Sequence, residues 1–198
     1  MNSQNKTKIM GEASIMLALA TILSLIKIWQ MPLGGSITCV SMLPICIISY
    51  RHGMKWGFLT SFVYSLIQLF LGITMSGLLG WGLTASMLIG CILFDYIVPY
   101  SVIGISGIFR NKGRIGWYAG MVLAFMLRLM SHFVSGYVIF KNFEQWQLFG
   151  RTIVNSPILY SICYNAFYLL PELIITLIVT VLLQRTPVMS ERFFTGSH

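Results

Sequence analysis

Residues 56–94 read WGFLTSFVYSLIQLFLGITMSGLLGWGLTASMLIGCILF, a run of 39 residues without Asp, Glu, Lys or Arg. A membrane-spanning helix takes about 20 apolar residues, so this run is too long for a single crossing. Gly72, Gly77, Gly80 and Gly82 mark the place where it breaks. The stretch therefore predicts two membrane helices joined by a short, glycine-rich connection.

The composition of the whole chain points the same way. Of its 198 residues, 57% are hydrophobic and 9% are charged, against about 25% charged residues in soluble domains. This balance excludes a water-soluble globule and a soluble catalytic domain. The formal net charge of +8 does not indicate a nucleic-acid partner, because a basic patch on a soluble fold needs more polar surface than this chain has.

Charged residues separate the apolar segments, and we expect an all-α membrane protein, a single domain over residues 1–198 with six transmembrane helices. The predicted ranges are 9–27, 38–51, 55–72, 84–109, 115–140 and 156–184, and the second is short enough to be tilted or partly re-entrant. Six crossings put nine Lys and Arg residues on one side and three on the other. This bias predicts cytoplasmic N and C termini. The basic residues are also expected to contact anionic membrane lipids.

The sequence contains few motifs of the kind that bind metals or catalyse reactions. Cys39, Cys46, Cys91 and Cys163 have apolar neighbours, no C-x-x-C pairing and no histidine at ligand spacing, so we expect buried free thiols without a disulfide or a metal site. The sequence contains neither a phosphate-binding G-x-x-x-x-G-K-[ST] loop nor a G-x-S-x-G or H-E-x-x-H motif. We therefore expect no catalytic residues, no cofactor and no ATPase site.

Ionisable side chains within a span are candidate functional residues, because their burial needs a partner or a ligand. A helix rise of about 1.5 Å per residue places Asp95, His132 and Asn165 at similar depths in the outer half of the protein. A carboxylate, an imidazole and an amide beside aromatic rings suit a small cation that carries an aromatic ring. The alternative is that these groups only hold the helices together.

Two further patterns lie on the last predicted helices. Tyr160, Tyr164 and Tyr168 follow one another at i, i+4 and i+8, which gives the last helix a tyrosine-lined face. Arg128 and Glu172 lie deeper in the membrane than Asp95, and we expect them to form an internal ion pair.

Four stretches carry a resemblance to a known family: MPLGGSITCVSMLPICIISYRHG (31–53), FDYIVPYSVIGISGIFR (94–110), SHFVSGYVIF (131–140) and YSICYNAFYLLPELIIT (160–176). In order and spacing they resemble the thiamine-specific S-components of energy-coupling factor (ECF) transporters, the ThiT/YuaJ family. The resemblance implies a six-helix protein of the bacterial cell membrane that binds thiamine from outside with high affinity. It also implies association with an ECF transmembrane coupling subunit and two cytoplasmic ATPase subunits, which supply the energy, and no chemistry on the substrate.

The same resemblance assigns substrate contacts to individual residues. They are Asp95 (the carboxylate), Tyr96 (the adjacent aromatic), His132 (the imidazole), Gly136 (the close-approach glycine), Phe140 (the stacking ring), Tyr160 and Asn165. Because the family can carry tryptophan where this chain has Phe140, we expect weaker stacking there. Trp81 and Trp146 are candidate lid residues without a firm correspondence in the family.

A partner interface and three alternatives complete the expectations. Ser14 and Ala18 form a small-xxx-small pattern on the first helix, which permits close packing on the coupling subunit. The first alternative is an S-component for another small heteroaromatic, such as hydroxymethylpyrimidine. The second is a membrane scaffold, and the third, an intramembrane enzyme, has no supporting motif. Lys141 and Arg151 leave the choice between thiamine and its phosphates open.

Overall fold

The chain forms a bundle of helices with two small β-hairpins in its connections. The computed structural model describes residues 3–31, 34–140, 147–148, 151–152 and 156–186. The helical segments are α1 (Ser3–Leu25), α2 (Leu43–His52), α3 (Met54–Thr74), α4 (Ala85–Gly107), α5 (Gly113–Val138) and α6 (Pro157–Gln184). The strands are β1 (Lys27–Gln30), β2 (Ser36–Thr38), β3 (Gln147–Leu148) and β4 (Arg151–Thr152), paired antiparallel as β1 with β2 and β3 with β4.

Five helices are long and apolar enough to cross a membrane in the part of the chain that the structure describes. They are α1, α3, α4, α5 and α6, with 21 to 29 residues in each apolar segment. Their outer surfaces expose leucine, isoleucine, valine and phenylalanine side chains, as expected for helices whose solvent is lipid rather than water. The chain is therefore a multi-pass membrane protein.

The second predicted span differs from the structure. The range 38–51 was expected to be a transmembrane helix, but α2 begins at Leu43 and has ten residues, or about 15 Å of helix, which is half of the hydrocarbon thickness. Thr38, the first residue of the predicted span, is the last residue of β2 instead. Eight of the ten α2 residues are buried, so α2 lies inside the bundle, against α1, α3 and the end of α4.

The helix α4 is irregular. An α-helical turn, Ala85–Cys91, passes into a π-helical segment, Ile92–Ile97, and the helix ends in a short α-turn and a 3-10 segment, Val102–Gly107. The 3-10 segment packs closely on α2 and α3, where Ser49 Oγ donates to the Gly104 carbonyl and accepts from the Gly107 N–H. The backbone of α4 is thus held by side chains of neighbouring helices.

Side-chain contacts tie together one end of the bundle. Glu12 on α1 pairs with Arg51 and His52 at the end of α2. The Tyr50 hydroxyl donates to the Gly113 carbonyl at the start of α5 over 2.8 Å. At this end lie the starts of α1, α3 and α5 and the end of α6, where most of the basic residues were expected. Described residues of the connections at the opposite end, among them Gly34 and Trp81, line the cavity described next.

Candidate functional site

One cavity between α4, α5, α6 and the α1–α2 connection brings together polar residues from these segments. It contains about 650 Å³ of space, including its open mouth. Its lining residues are Gly34, Gly35, Ser36, Trp81, Asp95, Tyr96, Tyr100, Arg128, His132, Gly136, Phe140, Tyr160, Tyr164, Asn165 and Tyr168. The wall combines aromatic rings with a few charged and polar groups, as the walls of small-molecule binding sites do.

Asp95 is the carboxylate of this cavity, and α5 holds it in place. His132 Nδ1 lies 2.9 Å from Asp95 Oδ1, and the Ser135 hydroxyl donates to Asp95 Oδ2. His132 and Ser135 are buried, whereas the Asp95 side chain keeps 19% of its surface exposed. The carboxylate is therefore oriented by two neighbours and still accessible from the cavity.

The hydrogen-bond partners of His132 determine which of its ring nitrogens carries the proton. Arg128 Nε lies 3.4 Å from His132 Nε2, and because a guanidinium nitrogen only donates, Nε2 must accept. Nδ1 then carries the proton and donates it to Asp95. A doubly protonated ring would point a second N–H at Arg128, so the arrangement fits a neutral imidazole.

Arg128 and Glu172 form the expected internal ion pair at the floor of the cavity. Arg128 Nη1 lies 3.3 Å from Glu172 Oε2, and the two side chains are 4% and 1% exposed. The Thr38 hydroxyl donates to the other Glu172 oxygen, and the Arg128 guanidinium stands 4.5 Å from the Tyr100 ring centroid. Glu172 thus balances the charge of Arg128, which leaves Asp95 as the uncompensated charge among these three groups.

The tyrosine face of α6 forms one wall. Tyr160 and Tyr164 have ring centroids 5.7 Å apart, and Tyr164 and Tyr168 meet edge to face at 6.1 Å. Tyr168 also lies edge to face with the His132 ring, at 6.0 Å. Such a wall offers aromatic faces and hydroxyl groups to a flat ligand.

Asn165 connects this wall to α5. Its Nδ2 donates to the carbonyls of His132 and Ser161, over 3.2 and 2.9 Å, and its Oδ1 accepts from the Tyr168 hydroxyl at 2.9 Å. Both amide hydrogens are therefore used within the protein. Asn165 can offer a ligand the remaining lone pair of its carbonyl oxygen, and it fixes the position of Tyr168.

Two glycines allow close packing around the cavity. A Cβ built on Gly136 would come within 3.0 Å of Ser161 Cβ and 3.3 Å of Asn165 Nδ2, so this position lets α5 and α6 approach. Gly34, with φ of +92°, lies against the Trp81 ring, where a Cβ would come within 2.9 Å of Trp81 Cη2. Trp81 in turn meets Phe140 edge to face at 6.3 Å. Three connections of the chain thus converge at this end of the cavity.

The structure places the predicted residues as follows. Asp95, Tyr96, His132, Gly136, Phe140, Tyr160, Asn165 and Trp81 all line the one cavity. Trp146 lies outside the described residues. Ser14 and Ala18 are exposed on the outer surface of α1 and do not line the cavity, whereas the flanking Ala13 and Ala20 are buried. Cys39 and Cys163 are half-buried, so the expectation of full burial is wrong for these two thiols.

Several lining residues were not among the predicted contacts. Gly34, Gly35 and Ser36 enter the cavity wall from the α1–α2 connection, and the only sequence signal was the pair of glycines within the first resembling stretch. Arg128 was expected to be buried in an ion pair below the site, but it also contributes to the lining. Tyr164 and Tyr168 were seen as part of an aromatic stripe without a direct contact role.

Fold and cavity together define a polytopic helical membrane protein with a polar, aromatic-walled cavity between its helices. Comparison with known proteins narrows this class. The family model described as thiamine transporter protein (Thia_YuaJ) matches residues 10–190, and the chain belongs to this family.

A curated relative and a solved structure agree with the assignment. The chain is 32% identical to the thiamine transporter ThiT of Bacillus subtilis (strain 168) over an alignment of 201 positions, which includes 94% of this chain and 95% of the relative. The solved structure of ThiT from Listeria monocytogenes matches with a TM-score of 0.69 and 22% identity, covering 96% of this chain and 98% of that chain. The fold is therefore that of ThiT.

Proposed function

We propose that this protein is the thiamine-capturing S-component of an energy-coupling factor importer in the bacterial cell membrane. It would bind thiamine with high affinity from outside and move it inward without chemical change. The observation that carries the proposal is the unbalanced carboxylate of Asp95 in a cavity walled by aromatic rings. Since Arg128 is paired with Glu172 and His132 is neutral, a cationic ligand restores the charge balance of the site.

The geometry supports a division of labour among the lining residues. Asp95 faces the positive charge of the ligand, and the rings of Tyr96, Phe140 and Tyr160 offer faces for stacking and cation–π contact. His132 and Asn165 hold the carboxylate and the tyrosine wall in place. Gly136 lets α5 and α6 approach closely enough for these contacts to share one cavity.

A thermal-shift series tests whether the cavity binds thiamine or whether its polar residues only hold the helices together. We expect thiamine to raise the unfolding temperature of the purified wild-type protein, since a ligand that binds only the folded state stabilises it increasingly as its concentration rises above its Kd. The free, uncharged hydroxymethylpyrimidine should give a smaller shift, and the shift with thiamine monophosphate shows whether the site also accepts a phosphate. Asn165→Ala, which releases Tyr168, should lose most of the thiamine shift. A membrane scaffold would instead show a lower unfolding temperature in the variant and no ligand effect in either protein.

We further propose that α1 carries the surface for the transmembrane coupling subunit, which would work with two ATPase subunits. Ser14 and Ala18 are exposed on one face of α1, and the Ser14 hydroxyl is bonded to the Met10 carbonyl at 2.8 Å within its own helix. Small residues whose polar groups are already satisfied allow another helix to approach closely in lipid.

Ala18→Leu tests this surface. We expect it to reduce thiamine uptake in cells that also express the coupling and ATPase subunits, because the larger side chain blocks close approach. Thiamine binding by the isolated variant should equal that of the wild type, since Ala18 does not line the cavity. Ile22→Leu is the matched control, because it also introduces a leucine on the exposed surface of α1 but replaces a side chain of the same size. Normal uptake by Ala18→Leu would show that the partner packs elsewhere.

A further inference from the structure

The π-helical segment of α4 carries two of the three α4 residues that line the cavity. Asp95 and Tyr96 both lie within Ile92–Ile97. In a π-helix each N–H donates to the carbonyl five residues earlier, so one extra residue fits into the turn and the following side chains change direction. The direction of Asp95 and Tyr96 therefore depends on this turn being retained.

The turn leaves one backbone carbonyl without its usual donor. The Val98 N–H, which in an α-helix would donate to Phe94, donates to Leu93 instead. The next residue is Pro99, which has no N–H to give. Neither the fourth nor the fifth residue after Phe94 can thus satisfy its carbonyl, and a buried unpaired carbonyl is costly.

The missing donor comes from another helix. Ser131 Oγ on α5 donates to the Phe94 carbonyl over 2.8 Å, and Ser131 is buried. Ser131 lies directly before His132 and one turn before Ser135, the two residues that hold the Asp95 carboxylate. One face of α5 thus contacts both the backbone of the π-turn, through Ser131, and the Asp95 side chain, through His132 and Ser135.

Pro99 acts on the same turn from within α4. In a regular α-helix its ring would clash with the carbonyl of residue 95, four positions earlier, and the bond between these residues would be lost. The π-turn avoids this contact. The proline therefore disfavours a regular α-helix at this point. Ser131 donates to the Phe94 carbonyl, which the π-turn leaves without a backbone donor.

We propose that Pro99 and Ser131 are positioning residues that together fix the π-turn of α4 and so aim Asp95 and Tyr96 into the cavity. The inference rests on the proposed binding of thiamine, because its consequence is measured as ligand affinity and charge selectivity. Neither residue needs to touch the ligand, and Ser131 is absent from the cavity lining.

The test compares two ligands in three variants by calorimetric titration. The ligands are thiamine and its uncharged analogue in which a thiophene replaces the thiazolium ring. We expect Ser131→Ala to lower the thiamine-to-analogue affinity ratio about tenfold, because the freed turn no longer directs Asp95 at the charge. Pro99→Ala should lower the ratio in the same direction. The double variant should do no more than the stronger single variant, since both changes release one turn.

Ser61→Ala is the matched control. Ser61 is buried and donates to the Ser101 carbonyl of α4 over 2.8 Å, but it does not line the cavity. We expect it to lower the unfolding temperature about as much as Ser131→Ala and to leave the affinity ratio unchanged.

The outcomes separate the inference from the proposed function. If the wild type binds thiamine and Ser131→Ala keeps the wild-type ratio, the positioning role is wrong while thiamine binding stands. If Ser131→Ala does not fold, Pro99→Ala decides alone, and an unchanged ratio in that variant overturns the proposal. If the wild type itself binds no thiamine, the proposed function fails, and with it this inference.

Discussion

Asp95→Asn is expected to weaken thiamine binding by about tenfold to a hundredfold. A hydrogen-bonded interaction with a charged group contributes roughly 1.5–3 kcal/mol, and each 1.4 kcal/mol corresponds to about a factor of ten in affinity. The asparagine can still accept from His132 Nδ1 through its carbonyl oxygen and donate to the Ser135 hydroxyl. The substitution therefore removes the charge and keeps the shape of the site, and calorimetric titration in detergent measures the loss.

The uncharged thiophene analogue of thiamine provides the control for this prediction. It fills the same volume without the positive charge, so Asp95→Asn should change its affinity by less than about threefold. Equal losses for the two ligands would mean that Asp95 contributes shape or hydrogen bonding rather than charge recognition. In that case a neutral pyrimidine would be as good a candidate substrate as thiamine.

Arg128→Met is expected to give the largest loss of stability, about 3–5 kcal/mol in the free energy of unfolding. The change leaves Glu172, 1% exposed, as a buried carboxylate whose remaining side-chain partner is the Thr38 hydroxyl. Removing one partner of a buried ion pair costs this much because the other charge stays desolvated. Denaturant or thermal unfolding of the purified protein in detergent measures the effect.

The double variant Arg128→Met/Glu172→Gln isolates the cause. The glutamine keeps an acceptor for Thr38 and carries no charge, so we expect it to recover most of the stability lost in the single variant. Arg128 also lies against the Tyr100 ring and donates to Met42 Sδ over 2.8 Å. If the double variant were as unstable as Arg128→Met alone, the loss would come from these contacts of the long arginine side chain rather than from the charge.

Much of the bundle is predictable because charges in lipid are costly and therefore mark helix ends. The predicted ranges 55–72, 84–109, 115–140 and 156–184 all differ from the observed helices by two residues or fewer at each end. The first range, 9–27, begins six residues after α1 does and ends two residues after it, because the residues that begin α1 are polar and include two lysines. The second range, 38–51, begins five residues before α2, because SITCVSM (36–42) continues the apolar pattern of α2 without a glycine, a proline or a charge. Hydropathy cannot distinguish a buried strand and turn from a helix in such a stretch.

The site residues were predictable where a polar or charged side chain occurs within an apolar helix. Asp95, His132 and Asn165 are conspicuous in apolar helices, and all three line the cavity. The π-turn was not predictable, because it depends on Pro99 together with a hydroxyl on another helix. The same holds for Gly34 and Gly35, whose contribution is the approach of backbone to the Trp81 and Tyr168 rings. These features depend on tertiary contacts, which the local sequence does not encode.

Isothermal titration of the purified wild-type protein with thiamine tests the central claim most directly. A cavity whose open carboxylate and aromatic walls match a small aromatic cation should bind thiamine with one site per chain and a Kd well below about 1 μM, or more than about 8 kcal/mol of binding free energy. No binding at micromolar thiamine, in a preparation shown to be folded, would contradict the assignment of this cavity to thiamine.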